Sequence, residues 1–578
     1  MKLFRYYILS ISIIPILIAL IGENNFFFQL NLSLTILINT FFSLYILLKK
    51  PNIYLSKNIR WGISIWLILF FNQIINFKNS SNSNTLSLIF SYLIIFLLLQ
   101  NYYENKIKIN EYIKSYHLFS GIFVFHLIFG LLFYYSRNHN YTSIYYSTNI
   151  SGFFPNPSYF LNFLLLLSPF IIFPILNIDK KLNSNKFLKF TYILLIISLT
   201  VCVFINKSRT GAITLILLIL ISIFLTRERK LTNLLIVFSV SIISIFSFLK
   251  YTAKNDSTNG RLLILKISKE IVVDNPITGI GINNFPKEYS EYQKNYFSKK
   301  RNPKEILLAD DNKFAHNEFL QTIIELGIIS LILIMISIKR LFFHQKNIKK
   351  DELTLNEKLK YCFLLVVIII SLFSNPFRID ATQNLIIIIS MFFIISSNVD
   401  LKYAYIIDKK LILLFISYIL VSVLYKQFYL YEWKQYTDKN LYNINSGIFY
   451  GDKRIDNNSN YLYYSSKELF FKNDYNNSII QIKKLLKVDN NSRIQLLLGK
   501  NYSKIKESKE AIKCFNNASL MNPRLFEPEY LTMNELLVLK DTIAAKKTAL
   551  SILKKPIKIP SPKIAYFKKQ ASKVILQK

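Results

Sequence analysis

The sequence predicts an all-α, polytopic membrane protein followed by a soluble α-helical tail, and three observations carry that prediction. Of 578 residues, 52% are hydrophobic, with only 13 Gly and 15 Pro. Charge-poor windows of roughly 17–22 residues recur, long enough to cross a hydrocarbon core of about 30 Å. Lys and Arg fall unevenly on alternate connections between these windows.

Taken in order, the windows fall at about 4–22, 28–48, 61–77, 84–100, 116–135, 158–178, 189–206, 211–226, 231–249, 317–338, 361–376, 384–398 and 409–428. That gives about 12–13 spans, each of a length that fits one crossing. The first window resembles a signal peptide, but "LIALIGENNFFF" offers no small-residue cleavage pattern and the next window follows at once, so it reads as a retained helix. The three cysteines, Cys202, Cys362 and Cys514, are scattered and suggest neither a disulfide framework nor a zinc site.

The net charge is +37, from 71 Lys+Arg against 34 Asp+Glu. Nucleic acid is one reading of such a value, but the placement of the charges argues for topology. With Lys2 and Arg5 in the cytoplasm, the cytoplasmic connections hold 26 Lys and Arg; the short outer loops hold five, Lys78, Arg137, Lys207, Arg209 and Arg378. The positive-inside rule then fixes the orientation. It puts the long connection of residues 250–316, and with an odd number of spans the tail of residues 429–578, on the outer side. The domains expected are therefore 1–249 (N-terminal spans), 250–316 (large periplasmic loop), 317–428 (C-terminal spans) and 429–578 (tail).

In the tail, Leu498, Gly499, Tyr502, Ala511, Phe515, Ala518 and Pro523 stand at tetratricopeptide spacing. Small residues let two helices approach, aromatics fill the gap and Pro ends the unit. A period of 33 aligns Ser478, Ala511 and Ala544. A generic helical hairpin bundle is the alternative. Repeat arrays of this kind bind partners, which suggests docking rather than catalysis.

The long loop reads as neither a disordered linker nor a folded domain. "GRLLILKISKEIVVDNP" predicts an amphipathic helix suited to a membrane surface. "TGIGINNF" is a Gly-containing turn without the strand and third Gly of a dinucleotide fingerprint. "YSEYQKNYFSKKRNPKE" is Tyr-rich and basic, a composition that suits sugar or lipid headgroups.

Ionisable residues at the ends of spans are the functional candidates, because each is costly there unless paired or solvated. Arg209 opens the eighth span, Arg261 opens the loop helix, and His316 stands where the loop enters the tenth span. Glu325 lies about two turns further in, with Glu318 and Gln321 near the same face. Arg378 is a weaker fifth; Lys207 and Asn317 flank the set. Each has a structural alternative: a snorkelling helix end for Arg209, a solvated charge for Arg261, a helix cap for His316 with Asn317, a bundle hydrogen bond for Glu325. Together, two arginines and a histidine suit an anionic headgroup. Guanidinium groups grip phosphate bidentately and stabilise a diphosphate leaving group, and an imidazole can accept a hydroxyl proton. No carboxylate cluster requires a metal, although Asp310 and Asp311 leave one open.

"NKSRTGAITL" at the head of a span, "GRLLILK…NPITGIGINNF" in one large outer loop, and "AHNEFLQTIIELGIISLIL" leading into the next span together resemble the O-antigen ligase and polymerase superfamily. "GFFPNPSYFLNFLLLLSPF" is similar to a segment several spans earlier in such proteins. The resemblance covers about residues 120–400 in order and spacing. It implies a GT-C-like membrane fold and a bacterial inner-membrane glycosyltransferase. The donor implied is a polyprenyl-diphosphate glycan at the periplasmic face, passed en bloc to a lipid A core sugar, a protein Ser/Thr or another glycan. By motif, Arg209 and Arg261 would hold the diphosphate and His316 would activate the acceptor or position the donor, with no metal or other cofactor. A polymerase using the same donor, or a flippase of lipid-linked glycans, are the alternatives. Membrane lipids and a protein partner for the tail complete the expected partners; nucleic acid is not among them.

Overall fold

The structure, a computed structural model, describes residues 2–16, 27–50, 52–55, 57–76, 85–103, 109–139, 149–154, 156–176, 186–226, 255–300, 302–343, 354–396, 405–440 and 459–576. The span expected at 231–249 lies outside them. The chain is an all-α helical membrane protein. Among the described residues, three helices are long and apolar enough to cross a membrane by length and composition: Leu32–Lys49, Ile113–Tyr135 and Glu318–Phe342. Six shorter apolar helices accompany them, Ile59–Ile75, Leu86–Tyr102, Pro157–Ile172, Phe190–Ile205, Arg209–Ser222 and Asp380–Ser396.

Two compact units divide the chain. The first comprises Met1–Leu67, Asn84–Ala253 and Leu333–Leu430, the second Ile68–Ser83, Lys254–Ile332 and Tyr431–Lys578. The helices that build the first are α1 (Lys2–Ser12), α2 (Phe27–Lys49), the start of α3 (Lys57–Ile75, which passes into the second unit at Ile68), α4 (Thr85–Tyr102), α5 (Ile109–His139), α6 (Pro157–Leu176), α7 (Lys186–Ile205) and α8 (Arg209–Thr226), with α13 (Leu355–Phe373), α14 (Asp380–Ser396) and most of α15 (Lys409–Asn440). Its core is aromatic where helices cross: Phe119 stacks on Phe170 with centroids 4.4 Å apart, and Phe392 meets Phe119 edge-on at 5.5 Å. Buried polar side chains then tie helix to helix, as hydrogen-bonding groups between apolar helices must. Tyr7 donates to Asn39 (2.8 Å), Asn39 to Ser91 (2.9 Å) and Tyr92 to Asn384 (2.7 Å). One short antiparallel pair joins β1 (Ile53–Leu55) to β2 (Tyr405–Ile407). Asn101 closes the edge of that pair, donating to the Tyr54 carbonyl at 2.8 Å and accepting from its N–H at 2.7 Å, which satisfies backbone groups that would otherwise stay orphaned.

The second unit joins loop and tail. Its loop helices are α9 (Asn255–Asp274), α10 (Phe285–Lys299) and α11 (Pro303–Leu308), and the first turns of α12 (Glu318–Phe342) complete it. Here an expectation is corrected: the loop is a folded element with its own core. The apolar residues of α9 divide between that core and the surface, where Leu262, Leu265 and Val273 are exposed. Leu263, Ile264, Ile267 and Ile271 are buried with Phe285, Tyr289, Tyr296 and Phe297. Nor do the tyrosines of α10 stand ready for headgroups. Tyr289 is fully buried, Tyr292 donates to Asp274 (2.7 Å), and Tyr296 donates to Glu305 (2.7 Å) while accepting from Lys266 (2.6 Å).

The tail is a run of helical hairpins: α16 (Ser459–Phe471), α17 (Tyr475–Val488), α18 (Ser492–Lys504), α19 (Ser508–Met521), α20 (Glu527–Val538), α21 (Thr542–Lys554) and α22 (Pro562–Leu576). A left-handed residue precedes the second helix of each hairpin, at Asn473, Lys506 and Lys540. Asp474, Glu507 and Asp541 follow as N-cap residues. Four residues beyond each cap sits a fully buried small residue: Ser478, Ala511 and Ala545. The step from the second hairpin to the third is thus one residue longer than the expected period, and Ala545 takes the close approach in place of Ala544. Gly499 on α18 has the same purpose, since a Cβ there would stand 2.5 Å from the Phe515 ring.

Candidate active site

In the first unit the "NKSRTG" segment is a tight turn whose geometry follows from its residues. Helix α7 ends with Lys207 in the left-handed region at φ 53°. The N–H of Ser208 donates to Val203 (3.1 Å) and that of Lys207 to Phe204 (3.0 Å), the paired closure that uses up orphan carbonyls at a helix end. Ser208 then starts α8, its hydroxyl accepting from the Gly211 N–H at 3.0 Å. Gly211 lets the helices approach, because a Cβ would lie 2.9 Å from Leu161 and 3.1 Å from Val203. Arg209 is therefore the first residue of α8, half-buried, with Lys207 exposed beside it. A cation there faces the positive end of the helix dipole, an arrangement that a bound anion relieves.

Asn206, which the sequence reading passed over, clasps the preceding motif to this turn. Its side chain accepts from the Ile150 N–H (2.7 Å) and donates to the Ile150 carbonyl (2.9 Å). The motif then enters α6 through Asn156, which accepts from the Ser158 N–H at 2.8 Å, and Pro157 at the first helical position, a pairing pre-organised for a helix start. One turn along α6, Asn162 donates to Ser374 at 2.9 Å. Ser374 begins the segment that includes the Pro376–Arg378 turn, so the Arg378 connection also reaches α6. From Arg378 the chain continues into α14 (Asp380–Ser396), which follows α13 (Leu355–Phe373).

The second unit holds Arg261, His316, Asn317 and Glu325. Its centre is a break in α12 at Gly327, where φ is 82° and ψ 166°. The break frees backbone groups that the "NPITGIG" turn takes up. Ile328 donates to the Pro276 carbonyl (3.0 Å), Ile280 to Ile324 (2.9 Å) and Gly281 to Glu325 (2.9 Å). Asn72 of α3 adds a bond to the Thr278 carbonyl at 2.7 Å. Only glycine fits here: a Cβ on Gly327 would lie 1.8 Å from the Ile277 oxygen, and one on Gly279 2.4 Å from Glu325 backbone.

Above this break, Gln321 donates to the buried Glu325 carboxylate at 2.7 Å and accepts from the Ala315 N–H at 2.7 Å. Asn317 caps α12, accepting from the Leu320 N–H at 3.0 Å. His316 is left outside the helix with its backbone at φ 55°, a region that non-glycine residues occupy at some cost and that recurs at functional sites. Partial burial, and then the charge of Arg261, hold the imidazole below its usual value. Arg261 itself is exposed on α9. The structure thus sets His316 and Arg261 within electrostatic reach of one another, with Glu325 reached from the His316 backbone through Gln321 and Ala315. Arg209, Lys207 and Arg378 belong to the first unit.

Asp310 and Asp311 are engaged by the tail. Arg524 meets Asp310 at 3.0 Å, Ser492 donates to Asp311 at 2.7 Å, and Asn522 reaches Asp311 at 3.5 Å. Among the described residues no group of three or more His, Cys, Asp or Glu is placed to hold a metal.

No curated protein matches the chain. A family model does: residues 193–335 match the family described as O-Antigen ligase. That stretch is about a quarter of the chain and contains Lys207, Arg209, Arg261, His316, Asn317 and Glu325. The match supports a membrane glycosyltransferase or ligase in general, and with it the likeness of this chain to the O-antigen ligase superfamily.

Proposed function

We propose that the protein transfers an oligo- or polysaccharide en bloc from a polyprenyl-diphosphate carrier to an acceptor hydroxyl at the periplasmic face of the inner membrane. The observation that carries this reading is the placement of His316 within reach of the Arg261 charge, inside the stretch that matches the ligase family. In the reaction the acceptor oxygen attacks the anomeric carbon of the reducing-end sugar, and the bond from that carbon to the diphosphate oxygen breaks. His316, held neutral by its surroundings, takes the hydroxyl proton. Arg209 and Arg261 bind the polyprenyl diphosphate, whose charge grows as it leaves. No divalent cation is needed for this division of labour. The acceptor is a lipid A core sugar or a protein Ser/Thr; polymerisation of the glycan by the same chemistry is the second reading. The tetratricopeptide-like tail favours ligation slightly, since a binding module suits an enzyme that meets a protein acceptor or assembly partner.

Glycan analysis of a strain lacking the protein tests the proposal. Donor accumulated beside unmodified acceptor supports transfer, whereas donor stranded on the cytoplasmic side points to a flippase. In vitro, full transfer activity in Arg209→Ala, Arg261→Ala and His316→Ala alike would remove the assigned site.

A further inference from the structure

The segment 309–316, which leads into α12, has no regular secondary structure, so few of its backbone groups bond to each other. It is held at both ends instead. At the α12 end, Ala315 donates to Gln321. At the other, the tail supplies the contacts: Arg524 to Asp310, Ser492 and Asn522 to Asp311. The buried Gln293 on α10 joins both sides, donating to the Asp310 carbonyl (3.1 Å) and to the Met521 carbonyl of α19. Two further bonds continue this seam. Lys287 donates to the Lys487 carbonyl at 3.0 Å, and Asn490 donates to Glu291. Leu520 of α19 packs on the loop core. The tail therefore spends part of its surface on its own chain, and what it covers is the strap that ends at His316.

We propose that the tail is a positioning element of the active site: through Ser492 and Arg524 it fixes the strap 309–315 and thereby the backbone of His316. The proposal rests on the transfer reading for the role of His316, but not for the ordering of the strap. The physical basis is geometric. Local bonds to Asp310 from the Asp311 N–H and the Asn312 amide, and the burial of Ala309 and Ala315, hold parts of the strap. Without ladder hydrogen bonds, however, it depends on its side-chain anchors to limit its conformations, and displacing a reacting group by about 1 Å can cost on the order of a hundredfold in rate. The Arg524–Asp310 pair is partly exposed and by itself adds little, so the anchors act together.

The test uses the full-length protein in nanodiscs. The double variant Ser492→Ala/Arg524→Ala removes two side-chain donors from the strap; Ser492→Thr/Arg524→Lys keeps them. Hydrogen exchange is followed over the peptides 309–317 and, as a check that the tail stays folded, over α20 to α22. Transfer is measured with a polyprenyl-diphosphate glycan donor. The alanine pair is expected to exchange about tenfold faster over 309–317. Its kcat should fall about tenfold or more while the donor KM changes less than about twofold, and the conservative pair should recover both. Unchanged exchange over 309–317 overturns the proposal, as does faster exchange with kcat intact. If α20 to α22 also lose protection, Leu520→Lys, which disturbs only the seam with the loop core, decides by the same readouts. Absence of transfer by the wild-type protein would refute the transfer reading, while the exchange data would still decide the ordering of the strap.

Discussion

The N–H of Ile280 donates to the carbonyl of Ile324 at 2.9 Å, taking the bond that Ile328 would make if α12 ran on unbroken. Ile328 in turn donates to Pro276. Loop and helix have exchanged partners around Gly327, so the carbonyls of Ile324 and Glu325 and the N–H of Ile328 keep hydrogen bonds across the break.

Substitutions at this exchange should therefore be severe. Gly327→Ala and Gly279→Ala combine a left-handed backbone with a Cβ inside van der Waals contact. Each is expected to destabilise the protein by at least about 2 kcal/mol. Gly260 on α9 makes the contrast, because a Cβ there meets nothing within 4 Å. Gly260→Ala should be neutral, or stabilising by roughly 0.5–1 kcal/mol. Thermal unfolding in detergent and protease sensitivity of the loop check all three; equal behaviour of the glycines would contradict the geometry.

Asn206→Ala removes both bonds to Ile150. It leaves a backbone N–H and carbonyl short of partners, for a loss of about 1–3 kcal/mol. Because the clasp joins the lead-in of α6 to the Arg209 turn, transfer activity should fall in step with Arg209→Ala rather than independently. A double-mutant cycle in which the two effects simply add would separate the residues.

His316 should set the acid limb of the pH profile. Its folded pKa lies below the ordinary value of about 6.5, through burial first and the Arg261 charge second. As a base it is active when neutral, so kcat/KM should hold its plateau to a pH lower than an unperturbed histidine allows. Arg261→Ala should move the limb back up towards 6.5. In stability the same shift acts with the same sign. The unfolded chain binds the proton more readily, so the contribution is complete above about pH 6.5 and is lost as pH falls through the folded pKa. A limb unmoved by Arg261→Ala would show that the two residues are not electrostatically coupled.

In the tail, Lys555 meets Glu529 at 3.0 Å with both side chains about nine-tenths buried or more, and Lys555 also donates to the Leu525 carbonyl at 2.6 Å. Lys555→Ala leaves a carboxylate buried beside a missing cation, which costs about 3–5 kcal/mol. Adding Glu529→Gln should recover part of that loss. Urea unfolding of the purified protein, followed by exchange in α20 to α22, distinguishes the two variants.

Much of this was legible in the sequence because it depends on local chemistry. Apolar windows announced the helices whatever their packing, and Ser208, Asn156 and Pro157 are turn and cap residues by type. The positions of Arg209, Arg261, His316 and Glu325 stood out because a charge beside an apolar run is costly anywhere. The repeat in the tail was readable to within one residue, and the slip from Ala544 to Ala545 arose because a period counts residues while a helix contact depends on where each helix starts. The Tyr-rich stretch misled for a related reason. Tyrosine is amphipathic, and composition does not say whether its ring faces a ligand or a core.

The sequence by itself determined the class of molecule, the order of its parts and the residue types able to hold a diphosphate and move a proton. Tertiary structure alone decided their use: that Leu263, Ile264, Ile267 and Ile271 of α9 share a core with α10, that Ile324, Glu325 and Ile328 around Gly327 exchange backbone bonds with residues some fifty positions earlier, that Asp310 and Asp311 face Ser492, Asn522 and Arg524. These are pairings between segments far apart in the chain. No local pattern encodes them, because a hydrogen bond or an apolar face specifies what kind of partner it needs and not which one folding will bring.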